Sequence, residues 1–270
     1  MKLRPSRILR ELRAGKNSTV LKLNLNDPRI IELAGLAGAD AVWLCNEHVP
    51  NDWLNLEHQI RAAKLYDMDT IVRVSKGSYS DYIKPFECDA TGIMVPHVSS
   101  ADEARSVVDM VRARPLGSKA LDAGNMDGLY CQVPLAEYVH HCNTEKFVIL
   151  QIESPEGLEK VDEIAAVPGF DMLLFGAGDF SHRIGKLGQA THPEVVAARK
   201  KVAAAALKHG KYPAVASLFG RKEEVIAEGT RVFTLGADVI ELGNAFKKLV
   251  SDFGGAQADA TSDSIYTNRK

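Results

Sequence analysis

Eight short apolar runs recur along the chain, and segments with helical spacing separate most of them. TVLKLN (19–24), AVWLC (41–45), TIVRV (70–74), GIMVP (92–96), FVILQI (147–152), DMLLFG (171–176), YPAVAS (212–217) and DVIELG (238–243) are the strand candidates. Runs without polar alternation predict strands buried on both faces, as in a parallel sheet. Residues 1–16 predict a short basic helix that covers the bottom of the domain. Helix starts are marked by Asp27-Pro28, by Asp52, by the Ser100/Glu103 capping box and by His192-Pro193. A short helix is expected around 79–86, others at about 134–143 and from about Arg221. Residues 116–130 have no period and much glycine, the mark of a functional or mobile loop.

Strands alternating with helices, over a length near the roughly 250 residues typical of the fold, predict a parallel (β/α)₈ TIM barrel. It is read as one domain over 1–253. Residues 254–270, small and polar, predict a flexible tail unless a neighbouring subunit orders it. A doubly wound open sheet is the alternative, but no phosphate-binding glycine fingerprint follows an early strand.

The stretch FVILQIESPEGLEKVDEIAAVPGFDMLLFGAGDFS (147–181) places an acid after each of two neighbouring runs. Ser154 and Pro155 open the intervening helix; Leu158, Val161, Ile164 and Ala165 share a face; VPG at 167–169 stops it. In one βαβ unit both strands point the same way, so Glu153 and Asp179 lie at the same carboxyl edge, where ligands collect. Two close carboxylates repel unless a cation lies between them or one is protonated. They read either as a divalent-metal pair or as ordinary strand-end and cap acids.

Composition narrows the partners. A formal net charge of −2 gives no electrostatic reason to expect nucleic acid or a membrane surface. No apolar stretch is long enough to span a bilayer. The basic N-terminus lacks the apolar core of a signal peptide, so a cytoplasmic address is expected. The four cysteines form no CxxC pair, and His140, His141 and Cys142 sit at adjacent positions that point apart on a helix.

In a barrel the strand ends meet at one rim. His48, Arg73, Gln151, Glu153 and Asp179 would gather there, giving a metal pair, a fixed cation and an imidazole, which suits stabilisation of an enolate. Hard oxygen donors favour Mg²⁺ or Mn²⁺, with Co²⁺ or Zn²⁺ as alternatives. Gly176 and Gly178 allow backbone N–H groups close to a carboxylate. Each residue also has a structural reading: Arg73 in an ion pair, His48 on a backbone carbonyl, Gln151 bonded to the main chain, Glu47 as a solvated loop acid.

GADAVWLCNEHVPND, IVRV, GIMVPHVSSADEAR and the 147–181 stretch followed by HPEV together resemble the metal-dependent class II pyruvate aldolases. These act on 4-hydroxy-2-oxo acids and 2-keto-3-deoxy sugar acids, and share a superfamily with citrate lyase β subunits and malyl-CoA lyases. The resemblance covers roughly 17–253. It implies a (β/α)₈ barrel, a homo-oligomer (hexamer or trimer of dimers, with an exchanged C-terminal helix) and a small 2-oxo acid substrate. It implies Glu153 and Asp179 as metal ligands, Arg73 on the keto oxygen, and His48 as the imidazole serving the base through a water. Gln151 is implied beside the metal, and the Gly178 and Asp179 amides on the pyruvate carboxylate. Glu47 matches the acid before the histidine, and Glu87 an acid that reaches a neighbouring subunit's site.

Three departures stand out. Cys45-Asn46 replaces the usual Asp-Gly before Glu-His. Gly-Ala-Gly-Asp-Phe-Ser (176–181) replaces Gly-Pro-Ala-Asp-Leu-Ser, and Gly-Ser-Lys-Ala (117–120) replaces Gly-x-Arg-Gly. The expected activity is cleavage of a 4-hydroxy-2-oxo acid. A 2-oxo acid decarboxylase or acyl-CoA lyase, and a weakly catalytic metal- and oxo-acid-binding protein, are the alternatives.

Overall fold

The structure, a computed structural model, describes residues 2–217 and 221–254. Its elements are α1 (Arg7–Arg13), β1 (Ser18–Leu23), α2 (Pro28–Leu36), β2 (Ala41–Cys45), α3 (Trp53–Lys64), β3 (Asp69–Arg73) and α4 (Tyr79–Glu87). Then come β4 (Gly92–Val95), α5 (Ala101–Val111), α6 (Leu135–Thr144), β5 (Phe147–Ile152), α7 (Pro155–Glu159), α8 (Val161–Ala165), β6 (Met172–Phe175) and α9 (Ala177–Arg183). α10 (Pro193–Lys208), β7 (Tyr212–Val215), α11 (Lys222–Ala227), β8 (Val232–Ala237) and α12 (Asp238–Asp252) complete the order. The strands close in sequence order into one parallel barrel, with β8 paired back to β1. This is the expected (β/α)₈ architecture.

Because side chains alternate along a strand, each strand serves two cores. Val20, Trp43, Ile71, Met94, Phe147, Ile149 and Leu174 pack together inside the barrel. Val42, Leu44, Val72, Ile93, Val148, Leu150 and Leu173 pack outward against the helices. Both sets are buried, which explains the unbroken apolar runs. Gly92 makes room for the Phe147 ring: a Cβ there would lie 2.0 Å from it. α1 closes the strand N-terminal end by adding Ile8, Leu9 and Leu12 to the inner core.

Three expectations change. DVIELG is not the eighth strand; that strand is Val232–Ala237, and Asp238 begins α12. The β-branched and aromatic VFT run pairs with β1, while the Asp238 carboxylate accepts the amides of Val239, Asn24 and Leu25. Those bonds tie the helix start to the end of β1. The crossover after β5 is two short helices, interrupted at Lys160, whose ψ of 11° is not helical. Residues after β6 form α9, where no helix was expected. The expectation for the tail concerns residues that, apart from Gly254, lie outside those described.

Candidate active site

The inward register of the strands carries past the apolar layers to polar residues at the carboxyl rim. On β3, Ile71 is followed inward by Arg73; on β5, Ile149 is followed by Gln151 and then Glu153 just beyond the strand. Arg73 Nε lies 2.9 Å from Glu47 Oε2. Its Nη2 donates to Cys45 Sγ at 3.2 Å, and its guanidinium lies 4.8 Å from the Trp43 ring centroid. An arginine with its side chain only 6% exposed is fixed in one orientation by these contacts.

Glu153 is buried at the centre of the rim. Its Oε1 accepts the His97 main-chain N–H at 2.7 Å and lies 3.0 Å from His97 Nδ1. Its Oε2 accepts from Gln151 Nε2 at 3.1 Å. Burial pushes its pKa up to about 7, helped by the charges of Asp179 and Glu47 and opposed by the His97 amide and Arg73. Gly176 is required here, since a Cβ would lie 2.4 Å from Glu153 Oε2. Asp179 is exposed, on the first turn of α9. The Gly178 and Asp179 amides fall in that turn, where N–H groups have no intrahelical acceptor and can face an anion.

The sequence-predicted set is thus mostly brought together: Glu47, Arg73, Gln151, Glu153, Gly178 and Asp179 share one rim. His48 is at the same mouth, its side chain 63% exposed, with Nε2 3.5 Å from Glu47 Oε2. Cys45 does not hold the imidazole; its Sγ accepts the His48 main-chain N–H at 3.4 Å. Glu87 is not part of this rim. It ends α4, which runs against the strands, so it lies at the opposite end with Lys119 and Asp122, and burial raises its pKa. Lys119 is buried there, donating to Tyr138 Oη at 3.2 Å.

Two rim residues were missed by the sequence reading. His97, at a positive φ of 54°, bridges Glu153 and Glu47, with Nε2 3.5 Å from Glu47 Oε1. Its only sequence signal was its place just past strand four. Lys22 is buried on the inner wall of β1, where burial and the nearby Arg73 charge lower its pKa. A lysine inside an apolar strand run was the signal for it.

Among the described residues, no three histidine, cysteine or acidic side chains converge as a ready-made metal cage. A hard divalent ion needs fewer protein ligands, because it keeps waters and takes substrate oxygens. Two acids in electrostatic contact, Gln151 Oε1 buried without a hydrogen-bond partner and the space kept by Gly176 fit such an ion.

Comparison with known proteins agrees with the barrel fold. The model of the family described as HpcH/HpaI aldolase/citrate lyase matches residues 18–245. Hydroxypyruvate/pyruvate aldolase from Pseudomonas aeruginosa is 32% identical over 98% of this chain and 100% of its own. 5-Keto-4-deoxy-D-glucarate aldolase from Klebsiella pneumoniae is 30% identical over 85% of this chain and 89% of its own. The crystal structure of an HpcH/HpaI aldolase from Desulfitobacterium hafniense superposes with a TM-score of 0.85 at 27% identity, covering 94% of this chain and 98% of that one.

Proposed function

We propose that this chain, which belongs to the HpcH/HpaI aldolase/citrate lyase family, cleaves a 4-hydroxy-2-oxo acid to pyruvate and an aldehyde through an enolate. The observation that carries the reading is the meeting of Glu153, Asp179 and Arg73 at one rim: two acids for a cation, and a fixed guanidinium for an oxo oxygen. Glu153 and Asp179 would hold Mg²⁺ or Mn²⁺, since the donors are carboxylate oxygens and not the cysteine and histidine sets that zinc favours. When bound, the ion supplies Lewis-acid polarisation of the substrate's oxo group.

The chain's own residues do the rest. The Gly178 and Asp179 amides take the substrate carboxylate. Arg73 donates to the 2-oxo oxygen and stabilises the negative charge that grows there as the C3–C4 bond breaks. His48, open to solvent at the mouth, takes the 4-hydroxyl proton through a water; the aldehyde leaves, and a proton returned to C3 yields pyruvate. Glu47 keeps Arg73 in place and stands beside the His48 ring. Self-assembly belongs to the same reading. α12 exposes Phe246, Leu249 and Val250, an apolar stripe suited to a second copy, and Glu87, at the end of α4 away from its own rim, would serve a neighbour's.

The test is pyruvate release from 4-hydroxy-2-oxo acids with Mg²⁺ or Mn²⁺, for the wild type and Asp179→Ala. Turnover in the first and none in the second is expected. Equal rates, or turnover of oxaloacetate without any aldol cleavage, would overturn the reading.

A further inference from the structure

The mouth of the barrel holds a second buried cation that the enolate chemistry above does not use. Lys22 faces inward from β1 and is only 6% exposed. In the parallel register it is opposite Trp43, one step below the level at which Cys45 pairs with Arg73. Its ammonium does not stay at that depth. It reaches Asn24 Oδ1, two residues further up the strand, and so arrives at the height of Cys45 and Arg73. On the way it passes the Trp43 ring, 5.8 Å from the centroid, while Arg73 is 4.8 Å from the same ring. Two cations therefore stand at one indole ring.

Lys22 is an ammonium on an otherwise apolar stretch of the inner wall. Burying an ammonium costs several kcal/mol unless partners compensate, and Val20, on the same face of the strand, shows that an aliphatic side chain suits this wall. Arg73 and Lys22 also repel, and that repulsion adds to burial in lowering the lysine pKa. An anion arriving at the β1 side of the mouth would be attracted by both cations.

We propose that Lys22 is a substrate-contacting, specificity-determining residue: its ammonium, beside Arg73, binds a second anionic group on the part of the substrate that leaves as the aldehyde. The inference rests on the aldolase reading, which places the first carboxylate at the α9 amides and the oxo oxygen on Arg73. The Arg73 guanidinium lies at the Trp43 ring of β2, across the barrel from β6, and Lys22 of the adjacent β1 reaches the same ring, so the far end of a molecule held at those two anchors comes within reach of the ammonium. There a carboxylate or a phosphate meets the lysine, whereas an uncharged tail gains nothing from it.

The test is calorimetric titration of the Mg²⁺-supplemented protein with pyruvate and with the dianion 2-oxoglutarate, using the wild type, Lys22→Met and Lys22→Arg. The wild type should bind the dianion about tenfold more tightly than pyruvate, the worth of one charge-assisted hydrogen bond. Lys22→Met should bind the two alike through weaker dianion binding, and Lys22→Arg should keep most of the preference. Should Lys22→Met not fold, Lys22→Gln makes the same comparison. A preference unchanged in the neutral variant, equal weakening for both ligands, or no preference in the wild type overturns the role of Lys22. If the wild type binds pyruvate normally in that case, the aldolase reading stands without it; if it binds neither acid, both fall together.

Discussion

The barrel carries charge at both ends, and the two ends treat it differently. At the strand N-terminal end Asp69 accepts from Ser6 Oγ at 2.6 Å, from Arg4 at 2.6 Å and from the amides of Arg7 and Ile8 at 3.1 and 2.9 Å. Asp171 accepts from Arg112 and the Val148 amide, and Asp89 from Lys64 and Lys146. There the acids are matched by cations and amides, and they lock α1 and the helix ends in place. At the carboxyl end Glu153 shares its surroundings with two other acids and is held well above the usual carboxylate range. Charge neutralised by the fold serves structure; charge held against repulsion is free energy stored for a ligand.

The sharpest way to separate the two ends is Glu153→Gln. It should abolish turnover yet raise stability by about 1 kcal/mol, because a buried acid next to like charges is replaced by a neutral isostere. Activity assays and denaturant melts on one preparation check both halves. Asp69→Ala should do the reverse. Removing the acceptor of four donors at a buried site costs roughly 3–5 kcal/mol, while activity per folded molecule stays at the wild-type value.

How legible each end was in the sequence follows from the same contrast. The acids after β5 and β6 and the arginine ending β3 could be read, because an unbroken apolar run followed by a charge marks a strand end. His97 could not, since its role depends on β4 bringing it between Glu47 and Glu153, residues 50 and more positions apart. Lys22 escaped because a barrel strand is buried on both faces, and its polar interruptions do not reveal which face points inward. DVIELG misled for a related reason: a first helical turn with three apolar residues in six resembles a short strand. Of the N-terminal end, only the covering basic helix was foreseen. Its bonds join residues 4–8 to 67–91 and 145, a pairing that no local pattern encodes.

A pH experiment probes the N-terminal end more gently. His141 is buried among Lys146, Arg4 and Lys64, and burial together with those charges pushes its pKa down to about 3. The unfolded chain binds a proton there near pH 6.5 and the folded chain does not, so stability is lost as pH falls below that value. Between pH 7 and 5 the loss from this group is about 2 kcal/mol. Glu153, with its raised pKa, works in the opposite direction over the same range, so the comparison must be between wild type and His141→Gln. Denaturant melts should show the variant losing less stability on acidification. The smallest effect is expected from His97→Ala. It leaves both acids in place but removes the imidazole that orients Glu153, and should weaken Mn²⁺ binding about tenfold.

The central claim is that Glu153 and Asp179 form the seat of a divalent ion that an oxo acid then shares. Titration of Mn²⁺ into the protein, followed by the paramagnetic signal of the free ion, tests it most directly. One Mn²⁺ per chain should bind, pyruvate should tighten it, and Asp179→Asn should lose both. Mn²⁺ binding equal in wild type and variant, or indifferent to pyruvate, would contradict it.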